Sequence, residues 1–285
     1  MTATTPSLTT QEPPRRARWG RRGIQAAAWT YVTFMLLIPL AVIFQDGLRG
    51  GLGGLWQSLS LPIASSALRL TLWTSAVMAL INALMGTLTA YVLVRYEFPG
   101  KSLLNAIVDL PLAIPTLVTG VMLVVLYGPQ SFVGAWLKDQ LNFKVIFAPP
   151  GIILALLFVN FPFVVRAVQP VLQSLDMEAE EAAATLGAGS ATIFRRVTLP
   201  ALWLPIGSGA LLSFARAIGE FGAIVIVAGN IPLRTQTAAV YVFGEVESAN
   251  RQGASAMSIV MLSIAFAMVL FVDWLRKRGR KEEEA

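Results

Sequence analysis

Long apolar stretches free of Asp, Glu, Lys and Arg alternate along this chain with short charged turns, and the uncharged windows cover residues 23–45, 70–94, 110–137, 145–165 and 252–272. Each approaches or exceeds the roughly 20 residues an α-helix needs to cross about 30 Å of hydrocarbon. A sixth apolar stretch, 201–229, is interrupted by Arg216 and Glu220 but is too hydrophobic for a solvated loop. The pattern predicts an all-α integral membrane protein with six transmembrane helices in a domain over 23–275, after a basic leader over 1–22 and before a short tail over 276–285.

One segment breaks the apolar run. Residues 174–200 carry Asp176, Glu178, Glu180, Glu181, Arg195 and Arg196 between two long hydrophobic stretches. Asp176 suits a helix N-cap, Glu178 and Glu180 fall in the first turn where carboxylates oppose the helix dipole, and Gly187 can take the left-handed conformation that ends a helix. Ala179, Ala182, Ala183 and Leu186 then share one face as a stripe of mostly small side chains, able to approach a groove closely. Ser190 is placed to cap a second helix ending before Pro200.

Composition narrows the chemistry. The chain has 285 residues, 55% hydrophobic and 13% charged, with no Cys and no His, and its mean hydropathy is +0.66. No thiol or imidazole is available, no metal-ligating set stands out, and no nucleophile and base occur at a reacting spacing, so an enzyme is disfavoured. The P-loop pattern G-x-x-x-x-G-K-[ST] is approached only at Gly100-Lys101-Ser102, where Arg95 replaces the first glycine. That fragment reads as a turn before the third span.

The arginines of the leader precede an apolar stretch longer than a signal h-region and with no small-x-small site followed by a soluble domain, so it reads as a retained first span. Basic residues set the orientation. With the N-terminus in the cytoplasm, the leader arginines, Arg95, Lys101, Arg166, Arg195, Arg196 and the Lys/Arg run from Arg276 to Lys281 lie inside, against a smaller outside set of Arg49, Arg69, Lys138, Lys144, Arg234 and Arg251. Both termini and the 174–200 segment are then cytoplasmic. The net charge of +6 serves insertion rather than nucleic-acid binding.

Glu181-Ala182-Ala183, three residues, Gly187, nine residues and Val197-Thr198-Leu199-Pro200 resemble the EAA signature of bacterial ABC importer permeases, with Val197 for the usual Ile. The likeness extends to Arg95-Tyr96-Glu97-Phe98-Pro99-Gly100-Lys101, to Asp109-Leu110-Pro111 with Pro115-Thr116, to Pro162-Phe163-Val164-Val165-Arg166 with Gln169-Pro170-Val171-Leu172, and to the run Phe214-Ala215-Arg216-Ala217-Ile218-Gly219-Glu220-Phe221-Gly222-Ala223. Together these resemble the sulfate/thiosulfate permease family, and Ala228-Gly229-Asn230 its T-type subunit. The resemblance covers roughly 31–272 and implies a type I ABC importer permease fold in the inner membrane of a bacterium. It implies that Glu181, Ala182, Ala183, Leu186, Gly187, Leu199 and Pro200 belong to a coupling loop received by a separate ATPase dimer, which uses ATP and Mg. The further implied partners are a homologous second permease and an external sulfate- or thiosulfate-binding protein, with no cofactor on this chain. Molybdate and tungstate permeases share the Arg-x-x-Gly-Glu-Phe-Gly pattern, so another oxyanion is the alternative substrate; a self-contained secondary transporter is disfavoured by the absence of inverted repeats.

Arg216 and Glu220 stand i, i+4 in the fifth span. An arginine at mid-bilayer costs about 2.5 to 3.5 kcal/mol on insertion scales. Three readings stand: a structural ion pair, an anion-pathway arginine balanced by Glu220, or a contact with the second permease. Asp109 is expected to cap a helix kinked by Pro111 and Pro115 or to meet Lys101 or Arg166, and Gly207, Gly209 and Ser213 to allow close helix packing.

Overall fold

In the computed structural model residues 15–283 are described, with side chains for 22–275 and for Lys277; residues 1–14 of the leader and 284–285 of the tail lie outside them. The described chain is helical without strands. In order it forms α1 (Arg15–Val32), a π-helical segment (Thr33–Leu37), α2 (Ile38–Gly47), α3 (Gly51–Ser60), α4 (Pro62–Arg95), α5 (Lys101–Ala113), α6 (Thr116–Tyr127), α7 (Phe132–Leu141) and α8 (Pro149–Ser174). There follow α9 (Glu178–Thr185), α10 (Ser190–Ile193), a second π segment (Phe194–Thr198), α11 (Leu199–Ile218), α12 (Gly222–Ala228), α13 (Ala238–Glu247) and α14 (Arg251–Glu283).

Among the described residues, five helical stretches are long and apolar enough to cross a membrane: 22–47, α4, α8, Ser190–Ile218 and 251–275. The count reaches six when the bent pair α5 and α6 is taken as one broken span.

Charge-free windows located the spans but misplaced several ends. α4 begins at Pro62 and carries Arg69 within it, and α8 continues past Arg166 to Ser174. The third window, 110–137, is not a kinked helix: α5 and α6 meet at 109°. Pro115 forces the preceding Ile114 into an extended conformation (φ −78°, ψ 127°), which ends α5 and lets α6 start in a new direction. The interrupted apolar stretch 201–229 also divides, because α11 ends at Ile218 and α12 is a separate short helix closed by Gly229 in the left-handed region. Arg216 and Glu220 therefore do not share a helix.

A helix ending before Pro200 was also expected, and the chain instead runs helically from Ser190 to Ile218. The second π segment lies immediately ahead of this proline, and the Leu199 amide donates back to Phe194 O. Its wider turn accommodates a ring that would strike a regular α-turn.

α4, α8 and α11 form the centre of the bundle, with α14 against α11 and α12 against α6 and α8. Lipid is as apolar as leucine, so these helices are held by close contact rather than by escape from water. A Cβ on Gly86 of α4 would lie 2.8 Å from Val164 Cβ, and one on Gly209 of α11 would lie 2.9 Å from Ala167 Cβ. The two glycines let α4 and α11 press against the same stretch of α8. Gly207 has open space where its Cβ would be, so of the two glycines expected to aid packing only Gly209 does so. Ser213 is buried and donates to Met78 Sδ at 3.3 Å. Thr71, Thr74 and Thr87 of α4 donate to carbonyls four residues earlier, which satisfies their hydroxyls inside the apolar bundle.

Candidate functional site

The polar 174–200 segment projects from the end of the bundle where α4 and α8 finish. Asp176 Oδ1 accepts the Glu178 amide at 3.0 Å, an Asx turn that starts α9, and Glu178, Glu180 and Glu181 occupy its first turn. At the other end Ala188 N donates to Ala183 O at 3.1 Å and Gly187 N to Ala184 O at 2.9 Å. These two bonds form a Schellman closure, and Gly187 supplies the left-handed residue it requires, at φ +84°. Gly187 is therefore placed as its sequence position suggested. Ser190 differs: Gly189 is the N-cap of α10, and Ser190 is already its first residue.

The stripe on α9 is largely uncovered. Ala179 and Ala182 are exposed, Ala183 is half-buried, and Leu186 at the tip is 89% exposed. Glu181, Leu199 and Pro200 are exposed as well. An uncovered leucine at the end of a helix of mostly small residues, whose first turn carries the exposed carboxylates of Glu178 and Glu181, makes an apolar knob able to enter a groove on another protein.

Behind this knob lies a contact that sequence reading missed. Arg95, the last residue of α4, places Nη2 2.8 Å from Glu180 Oε1, and their side chains are only 11% and 14% exposed. The buried Thr198 hydroxyl donates to the same oxygen at 2.9 Å. Beside them Tyr91 meets Phe194 edge-on at 5.4 Å. Arg95 read in sequence as an orienting charge and Glu180 as a helix-dipole residue; nothing local marks two positions so far apart as partners.

Further along the same end, Arg166 of α8 binds α5. Its Nε donates to Asp109 Oδ1 at 2.7 Å and its Nη2 to Asp109 Oδ2, while Nη1 reaches Asn105 Oδ1 at 2.9 Å and Nη2 also reaches Asn105 O at 3.0 Å. Asp109 thus meets Arg166, as the sequence allowed, within α5 rather than at its cap. Lys101 pairs with Glu97 at 2.6 Å instead.

Deeper in the bundle Arg216 Nη1 lies 2.7 Å from Glu220 Oε2. The Glu220 side chain is 2% exposed and that of Arg216 39%. Glu220 Oε1 also accepts the Ala223 amide at 3.2 Å, so one carboxylate holds the end of α11 and the start of α12. A cavity of about 630 Å³, largely apolar, opens between α4, α8 and the bent pair, with Asn82 and Pro111 in its lining. Among the described residues no group of three His, Cys, Asp or Glu could hold a metal ion.

Residues 82–281 match the family described as binding-protein-dependent transport system inner membrane component. The chain is 42% identical over 251 residues to a probable sulfate transport system permease protein cysT of Nephroselmis olivacea, a match covering 88% of each. It is 40% identical to the sulfate transport system permease protein CysT of Synechocystis sp., over 88% of this chain and 87% of that one. Its fold is similar, with a TM-score of 0.76 at 17% identity, to a chain in the crystal structure of a bacterial alginate ABC transporter in complex with an alginate pentasaccharide-bound periplasmic protein; the match covers 92% of this chain and 96% of that one.

Proposed function

The chain belongs to the family of binding-protein-dependent transport system inner membrane components, and from that membership we propose that it is the T-type permease subunit of an ATP-driven importer of sulfate or thiosulfate. The sulfate assignment draws on the relatives at 42% and 40% identity. The uncovered α9 knob, closed at Gly187 and ending in Leu186, carries the coupling part of the reading. Small residues beside one exposed leucine suit insertion into a cleft of an ATPase subunit, with Glu181, Ala182, Ala183, Leu199 and Pro200 at its margins. A second, related permease completes the pathway, a pair of ATPase subunits consumes ATP with Mg, and an external binding protein delivers the anion. This chain itself holds no cofactor and catalyses no reaction.

The basic residues orient the bundle, with both termini and the 174–200 loop in the cytoplasm and the chain in the inner membrane of a bacterial cell. In the pathway, Glu220 is the structural half of the buried pair, fixed between α11 and α12, while the partly exposed Arg216 retains donors for a passing dianion. Cells lacking their own sulfate uptake test the whole reading when given this chain with the other three components. Labelled sulfate should enter, and omission of either this chain or the ATPase should stop it. Uptake that persists without the ATPase, or that unlabelled molybdate suppresses as strongly as unlabelled sulfate does, would overturn the motor or the substrate respectively.

A further inference from the structure

If the 174–200 loop receives the motor, its movement must be passed to the membrane helices. α9 packs most closely against α10 and the second π segment, and it is joined to α8 and α10 through the short connections 175–177 and 186–189. Its firm attachment to the bundle is the Glu180 carboxylate. One oxygen of Glu180 is held by Arg95 at the end of α4 and by Thr198 at the end of the π segment that continues as α11. We propose that Glu180, and not the adjacent Glu181 of the docking signature, is the positioning residue that transmits displacement of the loop to α4 and α11 together.

Three observations support this. Glu180 is enclosed whereas Glu181 is exposed, so the two neighbouring carboxylates face different surroundings. Arg95 Nε is buried with no hydrogen-bond partner among the described residues, which leaves Glu180 as the anion that compensates this guanidinium and makes the pair costly to separate. The two seats also belong to central helices: α4 and α11 both press on α8 through glycine contacts, so a force applied at Glu180 acts on the tightly packed centre. The Tyr91–Phe194 contact braces the same two elements beside it.

The inference rests on the motor-docking reading, and the experiment separates the two. The importer, purified with its ATPase, second permease and binding protein and reconstituted in vesicles, is assayed for sulfate moved per ATP hydrolysed. Glu180→Gln and Thr198→Val should each keep the ATPase bound and hydrolysing, yet lower that ratio by about tenfold, the equilibrium factor that loss of one charge-assisted hydrogen bond represents. Thr198→Ser restores the hydroxyl and should restore the ratio. A purely structural role would reduce the yield of complex and leave the ratio alone. An unchanged ratio in Glu180→Gln and Thr198→Val overturns the proposal, and should Glu180→Gln not reach the membrane, Thr198→Val decides by itself. Leu186→Asp places a charge on the knob and should release the ATPase. If it does and the Glu180 and Thr198 variants remain coupled, the transmission role alone fails; if the ATPase stays bound to Leu186→Asp with sulfate uptake unchanged, the docking reading fails and this proposal with it.

Discussion

Glu220 lies two residues beyond the last turn of α11, yet its carboxylate returns to Arg216 at 2.7 Å while accepting the Ala223 amide at the start of α12. The pair is asymmetric, since the acid is fully enclosed and the base reaches the surface of the helix. That asymmetry sets what each mutation should do.

Removing the cation strands a buried carboxylate. Arg216→Met should lower the amount of assembled importer by the penalty of breaking a buried pair, about 3 to 5 kcal/mol. Glu220→Gln leaves behind a guanidinium that can turn toward a more polar surface, and the amide oxygen can still accept from Ala223, so its loss should be nearer the roughly 1 kcal/mol of one hydrogen bond. The double variant should recover much of what Arg216→Met loses. Co-purification yield with the ATPase measures all three; equal losses from the two single variants would contradict the asymmetry. Labelled sulfate uptake is the second readout, and normal uptake by Arg216→Met would exclude Arg216 from the pathway.

Gly187 gives a test of loop geometry in which crowding plays no part, because no atom lies within 4 Å of where its Cβ would stand. Any effect of substitution must come from the backbone at φ +84°. A β-branched residue resists this conformation by about 1 to 2 kcal/mol or more, whereas asparagine adopts it readily. Gly187→Val should therefore open the Schellman turn and reduce sulfate uptake while leaving insertion in the membrane unchanged, and Gly187→Asn should remain close to the parent. Both are read by uptake normalised to protein in the membrane. Equal activity in the Val and Asn variants would contradict the assignment of a left-handed closure to this turn.

Much of this architecture was legible in the sequence because burial in a bilayer imposes a plain rule: long uncharged runs become helices. The rule failed at Arg69 and Arg166. Arg166 spends its fork on Asp109 and Asn105, so a charge that looked like the end of a span sits inside α8. Gly187 was legible because few residue types fit its left-handed backbone, and Asp109 because few basic partners stood near the same membrane face. Pro115 and Pro200 look alike in sequence, as prolines in apolar surroundings. One redirects the chain by 109° and the other is absorbed by a π segment, an outcome decided by the packing around each. The Arg95–Glu180–Thr198 contact left no local trace, because three distant positions meet only once the bundle has formed.

The central claim, that the α9 knob enters an ATPase, can be tested directly because the chain has no cysteine. One introduced thiol is therefore a unique handle. Leu186→Cys on the knob and Phe132→Cys, also highly exposed but on α7 between α6 and the start of α8, are each co-expressed with the ATPase and treated with a short cross-linker joining the thiol to nearby amines. The expected result is a covalent permease–ATPase product from Leu186→Cys, weakened when ATP is supplied and the complex cycles, and none from Phe132→Cys. A product from Phe132→Cys with none from Leu186→Cys would contradict the account.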